Sequence, residues 1–264
     1  MAAKILFIVL PYLSAGIFVL GGLYRFYVWG RTPVPLRIVT TPAPQTRVGV
    51  LWRLIGDALW FPNIFKGDKI LWAAGFSFHI LLWLLLLRHL RYFLYPIPGW
   101  VEDIQAMGLY AGYFIPVPLT ILFARRLVSE RVLYVSILGD FFSLFLLLAI
   151  TISGVLLGVF FRTYLIDVKA MIQGLLHFRP QVPGVHWLFG LHFSLVMILL
   201  IYFPFSKLMH SGGLFLSPTR NQRANFQQPF VNPWDFPVAY NPMNLSAPEK
   251  YHQSLAGSKE EIRE

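Results

Sequence analysis

Apolar residues along most of this chain neither alternate nor recur every three to four positions; they run on without interruption. Five such runs stand out, at residues 5–28, 70–94, 104–122, 137–161 and 186–209. A helix crosses a bilayer core with about 20 mainly apolar residues, so each run predicts a transmembrane helix. The third is the weakest, because it carries Gly108, Gly112, Pro116 and Pro118. Such residues are tolerated in a span when neighbours satisfy the freed backbone groups, and a kink is expected there. The first run holds a single early cation, Lys4, and ends in Tyr24-Arg25-Phe26-Tyr27 instead of a small-x-small cleavage site. It therefore reads as a retained helix and not as a signal peptide. Of the long connections, residues 29–69 contain an amphipathic stretch at 50–60 that suits a short interfacial helix. Residues 211–264 are polar, with prolines at 218, 229, 233, 237, 242 and 248, and cannot build a core. The expected fold is an all-α membrane protein: a five-helix domain over 1–210 and an extended cytoplasmic tail over 211–264. Gly154 and Gly158 in the fourth run form a GxxxG-like pair of the kind that lets helices pack closely.

Composition sharpens this reading in two places. Of 264 residues, 56% are hydrophobic and only 13% are charged, against about 25% charged in soluble domains. There is no cysteine, which excludes disulfides, cysteine-ligated zinc, iron–sulfur clusters held by this chain and covalent c-type haem. The net charge of +10 would suggest nucleic acid in a soluble protein. Here it reads as basic cytoplasmic loops meeting anionic lipid, with no nucleic-acid partner. Arg25, Arg31, Arg37, Arg47, Arg53, Lys66 and Lys69 flank the first loop, Arg125, Arg126 and Arg131 the third, and Lys207, Arg220, Arg223, Lys250, Lys259 and Arg263 lie in the tail. The other side holds only Lys4, Arg88, Arg91, Arg162, Lys169 and Arg179. The positive-inside rule then puts the N-terminus outside and the C-terminus in the cytoplasm, in the cell's inner membrane.

The histidines are the informative residues. His79 and His89 fall in the second run; His192 and His210 fall within and at the end of the fifth. Ionisable side chains inside a membrane mark functional sites by default. The two helices are antiparallel, so His79 lies level with His210 and His89 level with His192, giving two imidazole pairs at two depths. Two facing imidazoles with a flat apolar plate between them hold a non-covalent b-type haem. The spacings do not match on their own: ten residues rise about 15 Å and eighteen about 27 Å. Tilt, a kink or a helix end must absorb the difference, and Pro204 offers a kink site. Eighteen residues close about five whole turns, which would put His192 and His210 on one face, whereas His79 and His89 are about 80° apart. His177 reads as a solvated loop residue and His252 as a surface residue of the tail. His186 is a rival for the outer position, but His192 lies deeper.

These residues resemble the haem b membrane subunit, the gamma subunit, of respiratory nitrate reductase. The matching pieces are Pro11-Tyr12, Tyr24-Arg25, Phe78-His79 with His89 ten residues on, Arg125-Arg126-Leu127 with Arg131-Val132, and Leu191-His192 leading to Phe203-Pro204-Phe205-Ser206-Lys207-Leu208-Met209-His210. The resemblance implies five helices, two b haems ligated by these four histidines, quinol oxidation and electron delivery to a cytoplasmic iron–sulfur partner. The tail is different. Leu216-Ser217-Pro218-Thr219-Arg220-Asn221-Gln222-Arg223 and Val231-Asn232-Pro233-Trp234-Asp235-Phe236-Pro237 are similar to the related subunit of the dissimilatory sulfite reductase-linked membrane complex. That likeness implies a cytoplasmic iron–sulfur subunit similar to heterodisulfide reductase. It also implies a periplasmic multihaem cytochrome c, a periplasmic iron–sulfur protein, a second membrane subunit and a role in sulfur metabolism. Arg88 stands where nitrate reductase relatives have glycine.

The expected function is a cytochrome b subunit linking menaquinone, or another quinone, to that iron–sulfur partner. A nitrate reductase gamma subunit is the alternative. A proton-coupled transporter is the third reading, made unattractive by the absence of paired repeats. Arg88, Arg91 and Tyr92 beside His89, with Lys169 in the opposing loop, are candidates for the quinone site. Arg125 and Arg126 are candidates for haem propionates. Phe215, Phe226, Phe230, Trp234, Phe236 and Tyr240 give the tail aromatic anchors for the partner subunit.

Overall fold

The structure is a computed structural model and describes residues 1–32, 43–161, 163–217 and 219–224. The tail aromatics from Phe226 onward, His252, Arg37 and Arg162 lie outside the described residues. Among the described residues five helices are long and apolar enough to cross a membrane: Ala2–Arg31, Lys69–Tyr92, Gln105–Val128, Leu138–Val159 and Trp187–Phe205. Each overlaps one predicted span. Large apolar side chains such as Leu20, Trp83 and Phe145 point outward. In lipid that surface costs nothing, and association rests on packing and polar contacts instead.

Proline shapes three of the spans. In the first, Pro11 has no N–H to donate, and the turn before it widens to π register over Ile5–Val9. The third breaks at Ile115, between Gln105–Phe114 and Pro116–Val128, where the kink was expected. In the fifth, the α-helix ends at Tyr202, two residues before Pro204. Beyond it run 3₁₀ turns at Phe203–Phe205 and Lys207–Met209 and a short helix, His210–Gly213. This corrects the expectation that His192 and His210 share a face across five turns. A proline removes a helical hydrogen bond and its ring clashes with the preceding turn, so the helical phase ends before His210. The break also resolves the spacing mismatch: about 15 Å of helical rise separates His192 from Tyr202, the same rise as from His79 to His89.

Close packing follows the order second–third–fourth–fifth–first span. The third span sits centrally and carries deeply buried side chains, Ile115 and Leu119 at 0% exposure and Ala111 at 2%. It crosses the second at Gly108, where a Cβ would lie 2.5 Å from Arg88 Cβ and 2.8 Å from the Leu84 carbonyl. The second and fifth spans are not among the closely packed pairs; they approach each other through side chains. The two ends of the bundle are chemically distinct. One, here the basic end, carries Asp68, Arg125, Arg126, Asp140 and Lys207; the far end carries His89 and Lys169.

Outside the spans, two helices exceed ten residues among the described residues; the others are single short turns. Arg47–Trp60 realises the expected amphipathic segment, capped by Thr46 Oγ1, which accepts from Gly49 N–H at 3.0 Å. Leu165–Leu176 has no counterpart in the sequence reading. Its Val168 and Met171 pack with Phe7, Phe189, Phe193 and Met197 at the far end. The first residues of the tail are tied to the first long loop. Arg220 pairs with Asp57 at 2.8 Å, Arg53 donates to the Arg220 carbonyl, and Ala224 N–H reaches the Pro44 carbonyl at 2.8 Å.

Candidate functional site

The second span is an uninterrupted helix, Lys69–His89, started by Asp68, whose carboxylate accepts from Leu71 N–H at 2.9 Å. Its continuity delivers His79 and His89 at fixed heights. Their Nδ1 atoms stand 2.6 Å from the Gly75 carbonyl and 2.7 Å from the Leu85 carbonyl, each one turn back. A carbonyl can only accept, so Nδ1 carries the proton in both rings and the Nε2 lone pair is left over. Histidines that ligate metals are oriented in this way, with the second nitrogen donating to a carbonyl, carboxylate or water.

The facing imidazoles show the same chemistry on different scaffolds. His192 Nδ1 lies 3.0 Å from Ser153 Oγ and 3.1 Å from the Ile150 carbonyl, both on the fourth span. Ser153 itself donates to the Ile150 carbonyl at 2.9 Å. A Cβ on Gly154 would come within 3.2 Å of His192 Cε1. The GxxxG-like pair is therefore not a backbone crossing: Gly154 makes room for an imidazole, and Gly158 faces the Tyr113 hydroxyl. His210 Nδ1 lies 3.0 Å from the Lys207 carbonyl.

One of the two expected pairs of rings meets face to edge. His79 and His210 have centroids 6.0 Å apart and planes at 90°. Of the other two described histidines, His186 is built differently, whereas His177 repeats the contact, its Nδ1 2.8 Å from the Gln173 carbonyl. His186 Nδ1 accepts from Leu188 N–H at 3.3 Å, and its ring stacks on Phe161 at 4.4 Å. The neutral ring there holds its proton on Nε2 and has no lone pair to offer. His177 is exposed, at the end of the far-end helix.

Arg88 and Arg91 converge on one residue that the sequence reading did not single out, Gln105. Arg88 donates to its carbonyl at 2.8 Å and Arg91 to its Oε1 at 3.0 Å. The Nε–H of Arg91 is buried and finds no acceptor among the described residues. The Tyr92 ring lies 5.8 Å from that of His89. Lys169 is not brought to this group; its ammonium sits 4.9 Å over the Tyr95 ring. Gln173 on the same far-end helix donates to the Phe93 carbonyl at 2.8 Å.

At the basic end, Arg125 pairs with Asp68 at 3.0 Å, and Arg126 and Lys207 approach Asp140 at 3.6 and 2.9 Å. The Leu71 N–H and then the Arg125 guanidinium hold the Asp68 carboxyl below the usual carboxylate range. Arg125 and Arg126 thus each engage a carboxylate of this chain. Arg25, from the Tyr24-Arg25 pair, donates to the Pro204 carbonyl at 3.0 Å, a group near the break in the fifth helix. Asp140 also escaped the sequence reading. Its signal was present: it is an acidic residue inside a predicted span, a position where charge is rarely idle.

The fold and the site define a multi-pass helical membrane protein with histidines set into its spans, two of which, His79 and His210, face each other. The chain matches the nitrate reductase gamma subunit family over residues 63–223. It is 35% identical over 274 residues to the Hdr-like menaquinol oxidoreductase cytochrome b-like subunit of Archaeoglobus fulgidus, covering 86% of this chain and 82% of that protein. The protein of the same name from Archaeoglobus profundus is 31% identical over 280 residues, covering 88% and 83%. The chain belongs to the nitrate reductase gamma subunit family.

Proposed function

We propose that this chain is the membrane cytochrome b subunit of a quinol oxidoreductase, passing electrons between the menaquinone pool and a cytoplasmic iron–sulfur subunit similar to heterodisulfide reductase. The observation that carries the reading is the facing of His79 and His210, ring centroids 6.0 Å apart, with Nδ1 of each of the four span histidines set against a backbone carbonyl. We take His79 with His210, and His89 with His192, as two ligand pairs; among the described residues no group of three or more metal-binding side chains gathers. Two protein ligands suit a metal whose remaining positions are filled by a macrocycle. The residues therefore fit two b haems, one held by His79 and His210 and one by His89 and His192. Each haem would supply a reversible one-electron couple. The protein would fix the ligand tautomers and exclude water around them. Purified protein should show a reduced-minus-oxidised b-type spectrum and two haems per chain; a colourless protein would refute the reading and favour a transporter.

The names of the relatives favour an Hdr-like menaquinol oxidoreductase assembly, and the family match alone also admits a nitrate reductase gamma subunit. Identifying the iron–sulfur protein that co-purifies with the chain separates the two.

The proposed quinol site is the far-end group beside His89. A quinone has two oxygens that need donors, and the buried Arg91 Nε–H lacks an acceptor among the described residues, which is unusual for a buried polar group. Tyr92 borders the same ring. Lys169 is left at the rim with Tyr95. Arg88→Gln and Arg91→Gln should slow reduction of both haems by a menaquinol analogue and leave their spectra unchanged. Normal rates in both variants would remove the site from the far end.

The orientation proposed is basic end inward. Cysteine introduced at Lys169 should react with an impermeant maleimide on intact cells, and cysteine at Arg131 only after lysis. The reverse pattern would invert the topology.

A further inference from the structure

Asp140 is the only acidic residue within a span among the described residues, and it is 6% exposed. Its carboxylate accepts from the Ile137 N–H at 3.1 Å and from Lys207 Nζ at 2.9 Å, with Arg126 3.6 Å away. Arg126 is itself held by Ser136 Oγ at 2.8 Å. Burying a carboxylate is costly unless cations and donors surround it, and this one is so surrounded. The arrangement fixes Lys207 to the start of the fourth span.

Lys207 has a second contact. Its carbonyl lies 3.0 Å from His210 Nδ1. His79 and His89 take their orientation from an unbroken helix, and His192 from the fourth span. His210 has neither. It follows the Pro204 break, an extended Ser206 (φ −108°, ψ 171°) and one 3₁₀ turn. Nothing in helical geometry sets its height, so an anchor outside its own segment must do so.

We propose that Asp140 is a positioning residue for His210, acting through Lys207. The ammonium docks on the buried carboxylate, and the carbonyl of the same residue orients the imidazole. This rests on the reading of His210 as an axial ligand. Outer-shell partners of metal-bound histidines are worth about 10–100-fold in metal affinity, and a comparable weakening of retention is expected for this haem alone.

The test uses the full-length membrane protein carrying Asp140→Asn, Lys207→Met or Lys207→Arg. Haem per chain and the ferric low-spin EPR signals are read beside both midpoint potentials. Lys207 is 66% exposed, so its replacement leaves no cavity and keeps the question answerable if Asp140→Asn fails to accumulate. Asp140→Asn and Lys207→Met should both perturb the signal of the His79–His210 haem and lower its content, with the other haem unchanged. Lys207→Arg, which can still reach the carboxylate, should restore both. An effect through charge alone would move the potential up in Asp140→Asn and down in Lys207→Met with unaltered EPR signals; that result overturns the proposal, as would wild-type content and signals in both. His210→Ala is the control for the underlying reading: if it keeps this haem, the ligand assignment fails first.

Discussion

His79→Ala and His210→Ala proteins are each expected to purify with one haem per chain in place of two, and to lose the same component of the redox titration. His89→Ala and His192→Ala should each lose the other component. The reason is the pairing: removing one imidazole leaves its partner as the only protein ligand on that haem, and a non-covalent haem has no other bond to the chain. His186→Ala and His177→Ala should keep both haems. The Nε2 of His186 bears the proton in the neutral ring, because its Nδ1 accepts from the Leu188 N–H. Haem content by pyridine haemochrome and a two-component titration measure the outcome. Loss of a haem from His186→Ala, with both retained in His192→Ala, would replace His192 by His186 in the far tier.

Gly154→Leu should have nearly as large an effect at a position bearing no ligand atom. A Cβ there already approaches His192 Cε1 at 3.2 Å and Nδ1 at 3.6 Å. An isobutyl group would have to occupy the place of the ring. Overpacking a well-filled site costs about 1–3 kcal/mol, and here the movable neighbour is the imidazole itself. The His89–His192 haem should be lost or its signals strongly shifted, with the other haem intact. Gly154→Ala adds one methyl and should be tolerated with a small displacement. Equal haem content in wild type and Gly154→Leu would show that His192 has room to spare and that Gly154 is not its cradle.

The spans could be read from the sequence because their determinant is local. About 20 consecutive apolar residues cross a bilayer whatever their neighbours are. The break before Pro116 has the same local origin, since proline forfeits its own hydrogen bond wherever it stands. The four histidines of the proposed haem sites stand out in the sequence because a titratable ring in an apolar run is conspicuous without any coordinates. Helical phase failed as a guide at His210. It assumes an unbroken helix from His192, and Pro204 ends that helix at Tyr202.

What the tertiary structure decided is everything that depends on a second helix. Gly154 looks like any small residue of a packed span until His192 arrives opposite it. Ser153 and the Ile150 carbonyl belong to the same imidazole only because the fourth and fifth spans adjoin. Gln105 gathers Arg88 and Arg91 from another helix, and Lys169 turns to Tyr95, a choice no spacing announces. Asp140 and Lys207 meet across 67 positions of sequence. Membrane insertion is governed by the transfer of each segment from water to lipid, a sum over its own residues. Orientation of a ligand is governed by contacts a few ångströms long, made by residues far apart in the chain. The sequence by itself therefore determined which segments cross and which imidazoles they carry, and only the folded bundle decided how each imidazole is held.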